Sequence, residues 1–186
     1  EYLKGIDDVV LCACGTSYHA ALTASYLFER LAKVRTKVEV ASEFRYRKPY
    51  LNKNSLFIVI SQSGETADTL EALRIAKEAG LKTLAICNVD NSSIVRLADN
   101  TLLTRAGIEK GVASTKAFAT QIIVLWMLVL QMASAKGSIS KKELDHEIKT
   151  LLHIPQILNI DNSLQEKLHR LSKHYLHGHG FFFIGR

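Results

Sequence analysis

An α/β fold, with a parallel sheet covered by helices on both faces, is predicted by three observations. Short apolar runs alternate with longer amphipathic ones along the chain. The apolar runs are continuous, as in Ser55-Leu-Phe-Ile-Val-Ile60, which suits strands buried on both sides. Glycine also marks changes of pattern: Gly15 ends the first apolar run, and Gly80 follows a well-defined amphipathic one.

The elements follow in order. Residues 8–14 read as a buried strand. The stretch from there to Leu31 sets Ala21, Leu22, Ser25, Tyr26 and Glu29 at helical spacing. Residues 38–41 form a second short strand and residues 55–60 a third, rich in β-branched and large apolar side chains. Residues 65–79 form a helix that can turn Leu70, Leu73, Ile75 and Ala76 to the sheet. Residues 83–87 and 100–104 supply the fourth and fifth strands, with a short helix at 92–98 between them. A long helix runs from about 113 to 135 and ends at the Lys-Gly-Ser break of 136–138. Two amphipathic helices follow at 140–152 and 163–175, with Pro155 punctuating the gap. Phe181-Phe-Phe-Ile-Gly185 then repeats the opening pattern of an apolar strand running into glycine.

At 186 residues, 47% hydrophobic and 23% charged, the chain can bury the core of one soluble domain. It opens on Glu1 and reads as a piece of a longer protein. The net charge of +6 is spread among interleaved acids. The densest basic stretch carries Arg45, Arg47, Lys48 and Lys53 beside Tyr46 and Tyr50; without a nucleic-acid motif it reads as a solvated loop, and no nucleic-acid partner is expected. The longest apolar run, 122–130, lies between Gln121 and Gln131. It falls short of the roughly 20 residues of a membrane span, so it reads as a buried core or interface helix and no membrane partner is expected. Cys12, Cys14 and Cys87 lack metal-ligand spacing and suit free thiols in a reducing cytoplasm.

In an open parallel sheet, ligands bind beyond the carboxyl ends of the strands, where strand order reverses. Two such ends are unusually polar: Cys14-Gly15-Thr16-Ser17 and Ser61-Gln62-Ser63-Gly64-Glu65-Thr66. Each offers hydroxyls, a glycine that lets backbone approach a ligand, and the free N–H groups of a helix start. That set suits an anion with several acceptor oxygens, phosphate being the commonest. Neither loop holds Lys or Arg, so binding would rest on hydroxyls, amides and helix dipoles. The plain alternative is capping: Thr16 or Thr66 as an N-cap would contribute about 1 kcal/mol without any ligand. Two such loops, on the first and third strands, favour a site. No G-x-G-x-x-G surrounds Gly15 and no P-loop is present, which argues against nicotinamide, flavin or nucleoside triphosphate.

A third segment, Glu109-Lys110-Gly111-Val112-Ala113-Ser114-Thr115-Lys116, precedes the long helix. Gly111 permits a tight turn, Ser114 or Thr115 can cap the helix, and the Val112 backbone could meet a ligand hydroxyl with Lys116 as a structural or electrostatic partner. Cys14 fits a small buried hydrophobe better than a nucleophile. His174, His177 and His179 straddle a helix end without a carboxylate or thiolate, so no metal site is expected. Glu65 is the only carboxylate expected near the pocket, at a helix start that favours its charged form.

Together, Cys14-Gly-Thr-Ser17, Ser61-Gln-Ser-Gly-Glu-Thr66 and Gly111-Val-Ala-Ser-Thr-Lys116 resemble the sugar-isomerase (SIS) domain of the glucosamine-6-phosphate synthase family, the glutamine–fructose-6-phosphate aminotransferases. Ala41-Ser-Glu-Phe-Arg-Tyr-Arg47 and Leu84-Ala-Ile-Cys-Asn88 are similar to it too. The resemblance implies a flavodoxin-like, three-layer αβα sandwich with a mainly parallel sheet of about five strands. It implies an SIS domain over residues 1–136, a helical linker over 137–180 and the start of a second, truncated SIS unit at 181–186. Ser61, Gln62, Ser63 and Thr66 would hold the phosphate of fructose 6-phosphate or glucosamine 6-phosphate. Cys14, Gly15, Thr16 and Ser17 would line the same pocket, with Ser17 and Val112 nearer the sugar. No cofactor is implied.

The family's glutaminase domain and second SIS half, with its isomerase lysine, glutamate and histidine and its closing tail, are absent from these residues, so no catalytic residue is expected here. A homodimer is expected from the apolar helix. The competing reading is a sugar-phosphate sensor in a transcriptional regulator, which would carry a helix-turn-helix ahead of the domain; none lies in these residues.

Overall fold

The computed structural model describes residues 2–111 and 114–182. After a 3-10 turn at Tyr2–Gly5 come β1 (Asp8–Ala13), α1 (Gly15–Leu27), β2 (Arg35–Val40) and α2 (Ala41–Phe44). A π-helical turn, Phe28–Ala32, extends α1. Then follow β3 (Ser55–Ser61), α3 (Ala67–Glu78), β4 (Lys82–Cys87), α4 (Ser93–Leu97), β5 (Asn100–Leu103) and the long α5 (Lys116–Lys136). α6 (Lys141–Ile157) and α7 (Asn162–His174) complete the order.

The five strands form one sheet in the order β2-β1-β3-β4-β5, and every neighbouring pair is parallel. The chain runs outward from β1 to β2, then returns to β3 and runs outward the other way. Strand order therefore reverses between β1 and β3, as in flavodoxin-like sheets. Alternation of side chains along each strand divides the core in two. Val9, Leu11 and Ala13 of β1 and Leu56, Ile58 and Ile60 of β3 pack with Ala20, Ala21 and Ala24 of α1 and Leu125, Val129 and Met132 of α5. Val10, Cys12, Phe57 and Val59 face the opposite layer of α2, α3 and α4, with Phe44, Leu73 and Ile94. Three layers result, and β1 and β3 are buried along their whole length.

Polar contacts fix the edges of this frame. Asp99, just before β5, accepts from Lys77 Nζ at 2.8 Å and from the Thr83 backbone and hydroxyl at 2.8 and 2.9 Å. Those donors hold its pKa down to about 2, the Lys77 hydrogen bond contributing most. In the basic stretch, Arg45 pairs with Asp68 and Arg47 with Glu39, while Tyr46 and Tyr50 stand exposed.

Several local expectations are corrected. The second strand begins three residues earlier, at Arg35, because pairing with β1 from Asp8 recruits polar residues that a hydrophobic pattern misses. Pro155 does not interrupt the chain, since α6 runs through it to Ile157. The proline stands in the last turn, so the donor it lacks interrupts the ladder only near the helix end, and Leu158 N–H still reaches the Ile154 carbonyl at 3.0 Å. α5 is long and apolar enough to cross a membrane by length and composition. In this fold its inner face, including Ala117, Leu125 and Met132, is buried as in a core helix.

One compact unit extends to Glu147 and another begins at Ile148. In the second, the Asp161 carboxylate caps α7 by accepting from Leu164 N–H at 2.7 Å. Most of the strand expected at 181–185 lies outside the described residues.

Candidate anion-binding site

Parallel pairing sets Ala13 beside Ile60, so the loops leaving β1 and β3 emerge side by side. Cys14, Gly15, Thr16 and Ser17 from the first loop and Ser61, Gln62, Ser63 and Thr66 from the second line one cleft of about 390 Å³. All eight predicted residues within the described chain thus meet, at the point where strand order reverses. Val112 lies outside the described residues.

Local physics shapes both loops. Gly15 (φ +57°) and Gly64 (φ +70°) adopt a left-handed backbone that side chains disfavour. A Cβ on Gly64 would also collide with Ser92 Oγ, with Ser92 Cβ at 2.5 Å and with Cys87 Sγ at 2.8 Å. Ser61 Oγ accepts from Gly64 N–H at 3.0 Å and stands 3.4 Å from Thr66 Oγ1. Ser63 Oγ accepts from Glu65 N–H at 3.2 Å. The carbonyls of Gln62 and Gly64 accept from the amides of Asn88 and Ile94, so the loop is braced on the one after β4.

The capping alternative is not what the structure shows. Cys14, not Thr16, is the N-cap residue of α1, and Thr66 is that of α3; neither side chain bonds the helix end. Thr115 stands at the start of α5, again without a side-chain bond. Glu109 takes that part, accepting from Ala117 N–H and Gly111 N–H at 3.3 Å each. Cys14 is half-buried: it packs against the core layer that holds Cys12 and Phe44, and it also lines the cleft.

No Lys, Arg or His lines the cleft among the described residues. Favourable potential for an anion comes from the first turns of α1 and α3, whose N-terminal amides carry partial positive charge. Glu65 is not the carboxylate of the cleft: it accepts from Ser93 N–H at 2.8 Å, and that bond to the Ser93 backbone keeps its pKa low. Among the described residues, the carboxylate that lines the cleft is Glu109. Desolvation pushes its pKa up, but the Gly111 and Ala117 amides and nearby Lys116 outweigh this and lower it, so it is ionised at neutral pH. Lys116 itself donates to the Ile108 carbonyl at 2.6 Å, a structural role.

Thr69, Ser114 and Ile60 also line the cleft and were not anticipated. Thr69 is one helical turn from Thr66, and the i, i+3 spacing could have signalled it. Glu109 arrives through tertiary structure: Asn88 Nδ2 donates to the Gly107 carbonyl at 2.7 Å, and its Oδ1 accepts from Thr104 Oγ1 and Ala106 N–H, folding the loop after β5 back over the site. Behind the cleft, Gln121 of α5 donates through Nε2 to Ser17 Oγ at 3.0 Å.

A doubly wound α/β domain with a hydroxyl- and amide-lined cleft at its strand reversal is the class these features define. A family model described as "SIS domain" matches residues 2–131, and the chain belongs to that family. It is 67% identical over 186 residues to the glutamine–fructose-6-phosphate aminotransferase (isomerizing) of Campylobacter jejuni, covering 100% of this chain and 30% of that protein. The Helicobacter pylori protein of the same name is 53% identical over 186 residues, covering 100% of this chain and 31% of the relative. Among solved structures, the C-terminal domain of glucosamine-fructose-6-phosphate aminotransferase from Francisella tularensis matches with a TM-score of 0.88 and 42% identity, covering 94% of this chain and 49% of that one. The chain thus spans less than a third of the length of the curated relatives cited.

Proposed function

We propose that this chain is the phosphosugar-binding part of the isomerase domain of a glucosamine-6-phosphate synthase, which converts fructose 6-phosphate and glutamine to glucosamine 6-phosphate and glutamate. The observation that carries the reading is the cleft: two hydroxyl-bearing helix starts face one cavity of about 390 Å³, with no Lys, Arg or His in its lining among the described residues. Ser61, Gln62, Ser63 and Thr66 take the phosphate. Cys14, Gly15, Thr16 and Ser17 line the same pocket, with Ser17 nearer the sugar. An ionised Glu109 repels phosphate and accepts from sugar hydroxyls instead. Names shared by relatives at 67% and 53% identity favour the enzyme over a regulator.

In the longer protein, a glutaminase domain supplies ammonia and a second SIS half supplies the proton-transfer groups, with no metal or organic cofactor. SIS domain boundaries at 1–136, a helical linker at 137–180 and a second SIS unit from 181 belong to this reading. So do a cytoplasmic homodimer and a place in amino-sugar synthesis leading to UDP-N-acetylglucosamine.

Calorimetry with fructose 6-phosphate tests the reading. Ser63 Oγ already accepts from Glu65 N–H, which leaves its proton for a ligand oxygen. Ser63→Ala and Thr66→Val each remove a donor to a charged oxygen, so each should weaken binding by roughly 1.5–3 kcal/mol. Native affinity in both variants would take this loop out of the site.

A further inference from the structure

We infer that Gln121 is a positioning residue for the cleft, holding the Ser17 hydroxyl as a donor to the ligand oxygen that occupies it. The inference rests on the phosphosugar reading above. Gln121 is 2% exposed and lies in the first turns of a 21-residue, strongly apolar helix. Ala117 and Leu125, one turn to either side, are fully buried and apolar, so the packing stripe itself calls for an apolar residue at 121. Its amide is only half satisfied: Nε2 donates to Ser17 Oγ at 3.0 Å, while Oε1 is buried with no partner. A buried acceptor left unpaired destabilises the fold, so fold stability does not account for the glutamine. Its one contact does.

The behaviour of Ser17 points the same way. A serine or threonine inside a helix ordinarily donates back to a carbonyl three or four residues earlier. In α1 itself, Thr23 donates to the His19 carbonyl at 3.0 Å and Ser25 to the Leu22 carbonyl at 2.8 Å. Ser17 makes no such bond in the structure; its oxygen is engaged by Gln121 from α5. A hydroxyl has one proton and two acceptor lone pairs. With one lone pair occupied by the Gln121 N–H, the Ser17 proton remains free, and Ser17 lines the cleft. Gln121 thus acts on a ligand only through Ser17, from the layer behind it.

The test is a double-mutant cycle on the chain, by calorimetry with fructose 6-phosphate. Gln121→Met keeps length and removes the amide. The expected result is an unchanged or higher melting temperature with affinity weakened roughly three- to tenfold, the share of one neutral hydrogen bond. Once Ser17→Ala has removed the hydroxyl, adding Gln121→Met should change affinity by less than about twofold, as coupled residues do. A Gln121→Met variant that binds like the native chain overturns the inference. So does a loss that persists in full in the Ser17→Ala background, which would mean that Gln121 acts by another route. A ligand-free arm follows the Gln121 side-chain amide by NMR: Ser17→Ala should shift its signals, and unmoved signals overturn the contact itself. Absence of fructose 6-phosphate binding by the native chain would overturn the function reading and this role together. That outcome is distinguishable because it precedes any substitution.

Discussion

Gly64→Ala should destabilise the domain by about 2–5 kcal/mol, and the two parts of that figure are separable. The backbone at Gly64 is left-handed, with φ +70°; an alanine there costs roughly 1–2 kcal/mol. The added methyl would also collide with Ser92 Oγ and stand 2.5 Å from Ser92 Cβ and 2.8 Å from Cys87 Sγ, all nearby heavy atoms of short side chains. Neither neighbour can swing a long arm aside: Ser92 is 3% exposed, and Cys87 is at the buried end of β4. Overpacking of this kind typically costs 1–3 kcal/mol. Against a total stability on the order of 5–15 kcal/mol, the sum is a large fraction. Urea denaturation of native and variant chains measures it. Ser92→Gly, added to Gly64→Ala, removes the two closest atoms while leaving the φ strain and the Cys87 contact, so about half of the loss should return. A single variant losing less than about 1 kcal/mol, or a double variant no better than the single, would refute the reasoning.

Other expectations follow from the same geometry. Asp99 has a folded pKa of about 2, below the ordinary value near 3.9, so its stabilising contribution is complete above about pH 4 and is lost as pH falls through about 2. Asp99→Asn should therefore lower stability at neutral pH, by about 1–2 kcal/mol given its partial exposure, and flatten the decline between pH 4 and pH 2 in acid-denaturation curves. Self-association through α5 should appear as a dimer in sedimentation at micromolar concentration, since the apolar side chain of Met127 stands exposed within an apolar stretch; a monomer independent of concentration would refute it. Incubated with fructose 6-phosphate and ammonium, the chain by itself should form no amino sugar above a buffer blank. Moving a proton between adjacent carbons needs a base of matched pKa, and Glu109, the one carboxylate lining the cleft among the described residues, is held ionised and weakly basic; turnover abolished by Glu109→Gln would overturn this.

The fold was legible because its signals are local. A strand buried on both faces, such as β3, is apolar through its interior, Leu56 to Ile60, and the helix after it must carry its own stripe. The strand-end loops were legible for the same reason: hydroxyls, glycine and helix start lie within six consecutive residues at Ser61–Thr66. Helix ends were read less well. Sequence suggests which residue could cap, but Thr16, Thr66 and Thr115 make no side-chain cap bond, and a carboxylate from the preceding loop serves α5 instead.

What sequence order concealed is the part of the cleft that arrives from a distance. Glu109 reaches it because Asn88, at the end of β4, clamps Ala106 and Gly107 through its side-chain amide, a connection across 18 and 19 positions. The Gln121–Ser17 bond spans 104. These two contacts change the chemical character of the site. The local loops alone describe a neutral cradle that any monophosphate could enter. Glu109 adds an ionised acceptor to a lining that, among the described residues, is otherwise hydroxyls, amides and apolar groups. On the phosphosugar reading proposed above, a phosphate joined to a polyol supplies both an anion for the helix starts and hydroxyl donors for Glu109.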